Sequence, residues 1–323
     1  MINFDEDFFK DEMVDGFLVQ ETMKRYWASG MEILAAIDEI CKRHDIKYYA
    51  EWGTLLGAVR HHGFIPWDDD IDIGMRRIDY MKFIKYAAEE LPEGLFISNT
   101  YEDPKHPSAV ANSRKITTDP DFLERFHGCP YYSCVDIFVL DNIPDDPEEY
   151  KLIKYIWNVG LCLARDWNEK DENRKFTEEE KWNMLEFFEE STAQKIERNG
   201  DEQRQIAYIV DRMGAMYYDT ETKNGAIVLD YLSKSESEQI IPLELLDEII
   251  EVPFANMMIP VPKRYDEFLT IRYGDWRTPV KGSGDHSYPC FENQYELLRD
   301  KYIELDREMP DMFVWKDDER SRP

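Results

Sequence analysis

Residues 68–73, Asp-Asp-Asp-Ile-Asp-Ile, pack four carboxylates into a short run that alternates with isoleucine at its end. Three acids in a row would repel one another along a strand, so the pattern needs a cation to offset the cost of gathering them. If residues 70–74 run extended, Asp70 and Asp72 share one face and Ile71 and Ile73 turn to a core; Asp68 joins the acidic face if the strand begins early. Oxygen ligands with no sulfur or imidazole among them suit a hard divalent cation, Mg²⁺ or Mn²⁺, better than zinc. Asp136 lies between Val135 and Ile137 in another candidate strand, 133–140, and can face the same edge. Asp70, Asp72 and Asp136, with Asp68 beside them, are therefore the expected metal ligands, and the first three the expected catalytic residues.

Upstream, Gly53-Thr54 follows a short candidate strand, 47–51, and opens an apolar run, 55–59. A glycine there lets a phosphate approach the backbone, and a following helix would aim its amides at the anion. Arg60 and His61 add positive charge at the end of that run, and Arg114, on a strand leading toward the acids, is a further candidate phosphate partner. Pro66-Trp67 is expected to give an extended approach to the acids.

A Gly-Ser/Thr turn followed by Asp-x-Asp on the next strand resembles the nucleotidyltransferase superfamily. The longer string GTLLGAVRHHGFIPWDDDIDIGM, at 53–75, is similar to the LicD family within it, which includes bacterial phosphocholine transferases and is related to fukutin and the fukutin-related protein. The likeness continues in SCVDIFVLDNIPDD at 133–146 and YDEFLTIRYGDWRTP at 265–279, with His286 beyond. It implies a CDP-alcohol donor such as CDP-choline, transfer of the alcohol phosphate to a cell-surface glycan precursor, and release of CMP. It also implies that Gly53 and Thr54 hold donor phosphates, with Arg60 and Arg114 as charge partners, and that Asp136 or Asp68 accepts the acceptor's proton. Trp276 and His286 are candidate substrate contacts: an indole there can stack on a nucleobase or attract a quaternary ammonium, or simply pack in the core. Tyr273 reads as packing at a helix end. Where many members carry two successive glycines, this chain has Trp52-Gly53. Two other readings stay open: a nucleotidyltransferase that releases pyrophosphate, and an idle nucleotide- or partner-binding module.

Composition bounds these readings. The net charge of −29, from 39 basic and 68 acidic side chains, repels nucleic acid and argues against a polymerase-like role. Five cysteines at irregular spacing make no disulfide framework and suit a reducing compartment. With no signal-like start and no apolar run near the roughly 18 residues of a membrane span, the expectation is a cytoplasmic protein, free or peripheral at the inner face of the membrane.

The elements that must position the acids read as an α/β (α+β) fold, a nucleotidyltransferase-like mixed sheet flanked by helices and carrying a helical insertion. A long amphipathic helix is expected over 15–44, a helix over 76–91, and strands over 95–100, 109–116 and 133–140. Residues 145–224 turn helical and polar. A hairpin over 249–260, turning at Ala255-Asn256, and a helix over 265–273 stopped by Gly274 follow. The expected organisation is a catalytic core, 1–144, the insertion, 145–224, and a C-terminal part, 225–323, completing the cleft and ending in a frayed tail.

Overall fold

The computed structural model describes residues 1–99, 108–113, 115–169, 175–227, 240–282 and 288–323. A seven-stranded mixed sheet lies at the centre, built from β3 (Tyr49–Ala50), β4 (Asp72–Arg76), β7 (Cys134–Ile143), β6 (Ala109–Ala111) and β5 (Phe96–Ser98) in that order, with β8 (Asn224–Ile227) and β9 (Ile241–Pro242) added along the second half of β7. β4 and β7 are parallel; their neighbours run antiparallel. The two central strands are the ones that carry the acids.

Helix α1 (Glu21–Arg43) packs against β6 and β7, and α3 (Arg77–Glu90) against β4 and β7. A Cβ at Gly30 of α1 would come within 3.0 Å of Ile71 Cδ1, so the helix approaches the sheet closely where the isoleucines turn inward. The same close approach recurs at Gly74, where a Cβ would lie 2.4 Å from the ring of Tyr49, its partner across the β3–β4 pair. Helix α2 (Trp52–Arg60) connects β3 to the loop that carries the acids.

The first helix starts later than its periodicity suggests. Residues 12–19 form a hairpin, β1 (Glu12–Val14) and β2 (Phe17–Val19), because Asp15 and Gly16 both take positive φ, the conformation of a tight hairpin turn. β4 begins at Asp72, two residues beyond the expected start, and β6 stops at Ala111, while β7 runs on to Ile143. Pro120–Arg125 (α4), capped by Asp119, adds a short helix in a stretch that shows no clear period. The hairpin β10 (Ile249–Phe254) and β11 (Met257–Pro262) and helix α8 (Tyr265–Tyr273) fall where expected.

Helices α5 (Pro147–Asp166), α6 (Glu178–Thr192) and α7 (Glu202–Gly214) enclose an apolar cluster of their own around Trp157, Leu163, Leu185, Phe188 and Ile206. Arg77 ties this bundle to the sheet. Its guanidinium pairs with Asp141 of β7 at 2.7 Å and Asp211 of α7 at 2.8 Å, and both Arg77 and Asp141 are buried.

Helix α9 (Glu292–Glu304) precedes the C-terminal segment, which is pinned rather than frayed. Gln20 donates to Ser321 Oγ at 2.9 Å and to Lys316 O at 2.7 Å, and Ser321 donates to Leu18 O at 2.8 Å. These paired polar groups fix a segment whose charge alone suggested solvent. Among the described residues no helix is long and apolar enough to cross a membrane.

Gly74→Ala should lower unfolding free energy by about 1–3 kcal/mol, the usual cost of overpacking, without loss of fold. Urea titration checks this, and an unchanged midpoint would show that the Tyr49 ring yields freely.

Candidate active site

Asp72 and Asp136 are direct partners across the parallel β4–β7 pair, so both carboxylates leave the same face of the sheet. The register is locked on either side: Asp136 N–H donates to Ile71 O at 2.9 Å, and Glu51 N–H donates to Asp72 O at 3.0 Å. Thr54 Oγ accepts the Asp72 N–H at 2.8 Å, which keys the first turn of α2 to the acid strand. Thr54 thus positions an acid here as well as neighbouring the expected phosphate turn.

Asp72 is only 7% exposed. Burial holds its carboxyl well above the usual carboxylate range, and the charges of Asp70, Asp136, Asp68 and Glu51 add to the effect. Asp70, Asp136 and Asp68 thus stand close enough to act on Asp72, but the carboxylates whose oxygens converge within 4.8 Å among the described residues are Asp68, Asp69 and Asp70 rather than the expected set.

The three consecutive aspartates divide their tasks. Asp68, Asp69 and Asp70 can each bring one carboxylate oxygen within 4.8 Å of the other two. Asp68 lies over Gly53, where a Cβ would sit 2.1 Å from its Oδ2. Its backbone is held by Trp27, whose indole N–H donates to Asp68 O at 2.9 Å, and by its own N–H donating to Ile65 O at 2.9 Å. That second bond closes a turn through Pro66-Trp67 in place of the extended approach expected there. Asp69 is buried and accepts the Cys290 N–H at 2.6 Å, tying the segment after residue 287 to the acid loop.

Arg60 donates to Trp276 O at 3.0 Å and forms no salt bridge among the described residues. Burial lowers the pKa of its guanidinium, while Tyr273 and Asp15 oppose the shift. His61 turns away toward Asp15, at 3.6 Å, and the edge of the Trp67 ring; burial and the Arg60 charge depress its pKa. Trp276 is 8% exposed, with its indole N–H on Asp266 and Arg277 stacked on its ring at 4.5 Å, a core position rather than an open ligand platform. Tyr273 departs from the packing role expected of it. It is 40% exposed, and burial of its hydroxyl with the charges of Asp68, Glu51 and Asp72 raises its pKa. Arg114 and His286 lie outside the described residues.

Further residues border the acids, among them two cysteines that sequence could suggest as thiol ligands and a tyrosine preceding the Asp136 strand. Cys134 Sγ lies 3.6 Å from Asp136 Oδ1, and burial with the charge of Asp136 raises its thiol pKa strongly. Tyr132 and Cys290 border the same acids, burial again being the first cause of their raised pKa values. Glu51 and Arg272 form an ion pair at 3.0 Å with both side chains fully buried, joining the end of β3 to α8. Only the presence of Arg272 inside the third resembling block could have pointed to it. Glu51 Oε2 is buried without a hydrogen-bond partner among the described residues. Apart from that oxygen, Asp68, Asp69 and Asp70 offer converging carboxylate oxygens of the kind a hard divalent cation takes.

With this geometry in hand, the chain can be set beside known proteins. A profile described as LicD/FKTN/FKRP, nucleotidyltransferase domain, matches residues 45–106, the segment from β3 through the acid loop and α3. Lipopolysaccharide cholinephosphotransferase LicD of Haemophilus influenzae is 30% identical over 256 residues, covering 76% of this chain and 88% of that protein. This chain belongs to the LicD family. Human ribitol 5-phosphate transferase FKRP shares a shorter stretch, 53% identical over 30 residues, or 9% of this chain and 6% of that protein. An uncharacterised protein of Rickettsia prowazekii is 46% identical over 68 residues, 19% of this chain and 26% of its own length. The FKRP match is short enough that it speaks to one local motif, whereas the LicD match spans most of both chains.

The raised pKa of Asp72 carries a sign that can be checked. The folded state binds its proton more tightly than the unfolded chain does, so this contribution to stability is complete below the ordinary carboxylate pKa and is lost as pH rises through the raised value. In metal-free buffer the melting temperature of the wild type should therefore fall, as pH rises above the ordinary carboxylate range, more steeply than that of Asp72→Asn. Parallel profiles would mean that Asp72 is not held above its usual range.

Proposed function

We propose that this protein transfers phosphocholine, or a related polyol phosphate, from a CDP-alcohol to a cell-surface glycan precursor and releases CMP, with Mg²⁺ or Mn²⁺ held by Asp70, Asp72 and Asp136. One observation carries the reading: Asp72, buried among four other carboxylates, faces Asp136 across the parallel strands of a LicD-family chain. Carboxylates gathered at that cost favour a cation that neutralises them. The Haemophilus influenzae relative is a cholinephosphotransferase and human FKRP a ribitol 5-phosphate transferase, which supports an alcohol phosphate as the transferred group.

When bound, a divalent cation supplies charge neutralisation of the donor diphosphate and of the departing phosphate. The chain's own residues do the rest. Arg60, with its backbone anchor on Trp276 and no salt bridge among the described residues, pairs with a donor phosphate oxygen. Gly53 and Thr54 frame the start of α2 against Asp68 and Asp72, where backbone can approach that diphosphate. The acceptor hydroxyl oxygen bonds to the phosphorus bearing the alcohol, and the bond from that phosphorus to the oxygen of CMP breaks. Asp68, set over Gly53 and apart from the Asp72–Asp136 register pair, receives the hydroxyl proton. The strongly acidic net charge disfavours nucleic acid as acceptor.

Incubation with CDP-choline, CDP-glycerol, CDP-ribitol or CTP and Mg²⁺ or Mn²⁺ should yield CMP from one of the CDP-alcohols; pyrophosphate from CTP would establish nucleotidyl transfer instead. Asp70→Asn and Asp72→Asn should each lower turnover by roughly 10²–10³-fold, as for loss of one preorganised electrostatic group. Undiminished activity of either variant would remove the acid set from the mechanism, and an undiminished biological effect without turnover would favour a binding module.

Gly53→Ala should push Asp68 off its seat while leaving the melting temperature within about 3 °C of wild type. Turnover should fall and Mn²⁺ affinity change less. Full activity would show that the Asp68 position is immaterial.

A further inference from the structure

The buried Glu51–Arg272 pair sits directly behind the turn that the proposed reaction uses. Ion pairs removed from water seldom contribute net stability; they persist where they fix a geometry. Both side chains are fully buried. Arg272 Nε donates to Glu51 Oε1 at 3.0 Å, and the same oxygen accepts the Trp52 N–H at 3.3 Å, which places a single carboxylate at the cap of α2 and in the grip of α8.

Trp52 is the residue that this arrangement constrains. Its φ is +45°, in the left-handed region that side chains other than glycine rarely adopt, and it is immediately followed by Gly53 and Thr54. The guanidinium of Arg272 lies 4.2 Å from the centre of the Trp52 ring, and Phe138 of β7 meets the ring edge-on at 6.3 Å. Strained backbone persists only where its surroundings over-determine it, and it concentrates at functional sites. Here the surroundings are a hydrogen-bonded cap, a cation on one face of the indole and an aromatic edge contact. The peptide held this way leads directly into Gly53, under Asp68, and Thr54, which accepts from Asp72.

We infer that Arg272, acting through Glu51 and the Trp52 ring, is a positioning residue that sets the Gly53–Thr54 turn for a diphosphate. This rests on the donor reading above but concerns the phosphate-binding turn, whichever alcohol is carried. Arg272 does not touch the transferred group. It determines how tightly the diphosphate is held and leaves cation binding by the acids nearly unchanged.

The double variant Glu51→Gln/Arg272→Met removes both charges together, which spares the fold the burial of an unpaired one. Calorimetry with inorganic pyrophosphate in the presence of Mn²⁺ reads the turn without assuming a donor. Binding should weaken by about tenfold or more, the scale expected when a reacting or binding group is misplaced by a fraction of an ångström to an ångström. Mn²⁺ affinity and melting temperature should stay near wild type, and in turnover KM for the CDP-alcohol should rise more than kcat falls. Arg272→Lys, which keeps the charge but not the planar contact with the indole, should show the same pattern more weakly, and it decides the matter if the double variant does not fold. Pyrophosphate affinity equal to wild type in the folded variant, or an equal loss of Mn²⁺ affinity, overturns the inference. A wild-type protein that binds pyrophosphate tightly yet releases no CMP from any CDP-alcohol would instead overturn the donor reading and leave the clamp standing.

Discussion

Carboxylates that share a buried space repel one another, and the architecture around β4 and β7 is arranged to keep them together regardless. Asp72 and Asp136 face each other because two parallel strands hold them in register, and Asp70, Asp68 and Glu51 add their charge from the adjoining segments. Desolvation and repulsion both act against ionising such a group. The fold meets that cost with backbone hydrogen bonds across the sheet, a threonine keyed to the Asp72 amide, and packing of the isoleucine face on α1. Under the proposed function a cation would relieve that repulsion, and its binding would be coupled to the stiffness of the scaffold.

That stiffness comes from separated parts of the chain. Asp69 reaches across to Cys290, Arg60 to Trp276, and Glu51 to Arg272, so the C-terminal part closes on the acid loop at three points. On the other side of the sheet, Arg77 fastens the helical bundle through Asp141 and Asp211. The bundle has its own apolar core, yet this one buried arginine makes its position depend on the strand that also carries Asp136. Polar ties of this kind specify an arrangement more than they add to stability.

The acid motif and the Gly53–Thr54 turn were legible because their residue types are unusual in sequence: carboxylates alternating with isoleucine, and a glycine between a strand and an apolar run. Periodicity also located the sheet order's two central strands and the helix ending at Gly274. It failed where local turn chemistry overrides period. Asp15-Gly16 broke the long first helix into a hairpin, and Pro66-Trp67 formed a closed turn. The roles of Glu51, Arg272 and Tyr273 were invisible for a different reason: each depends on a partner far along the chain, and no local pattern records a pairing across 221 positions. Trp276 illustrates the converse, a residue of suggestive type that is buried, with its indole N–H on Asp266 and Arg277 over its ring.

The span between Glu51 and Arg272 also bears on how the protein comes into being. During synthesis the acid strand and the turn before it leave the ribosome long before α8 exists, so the carboxylate that caps α2 has no buried counter-charge to meet. Contacts of such high sequence separation form late, after the entropy of closing a long loop has been overcome. On the inference drawn above, the nascent chain passes through a stage in which the Gly53–Thr54 turn is not yet set, and that turn takes its final form only when the distant arginine docks.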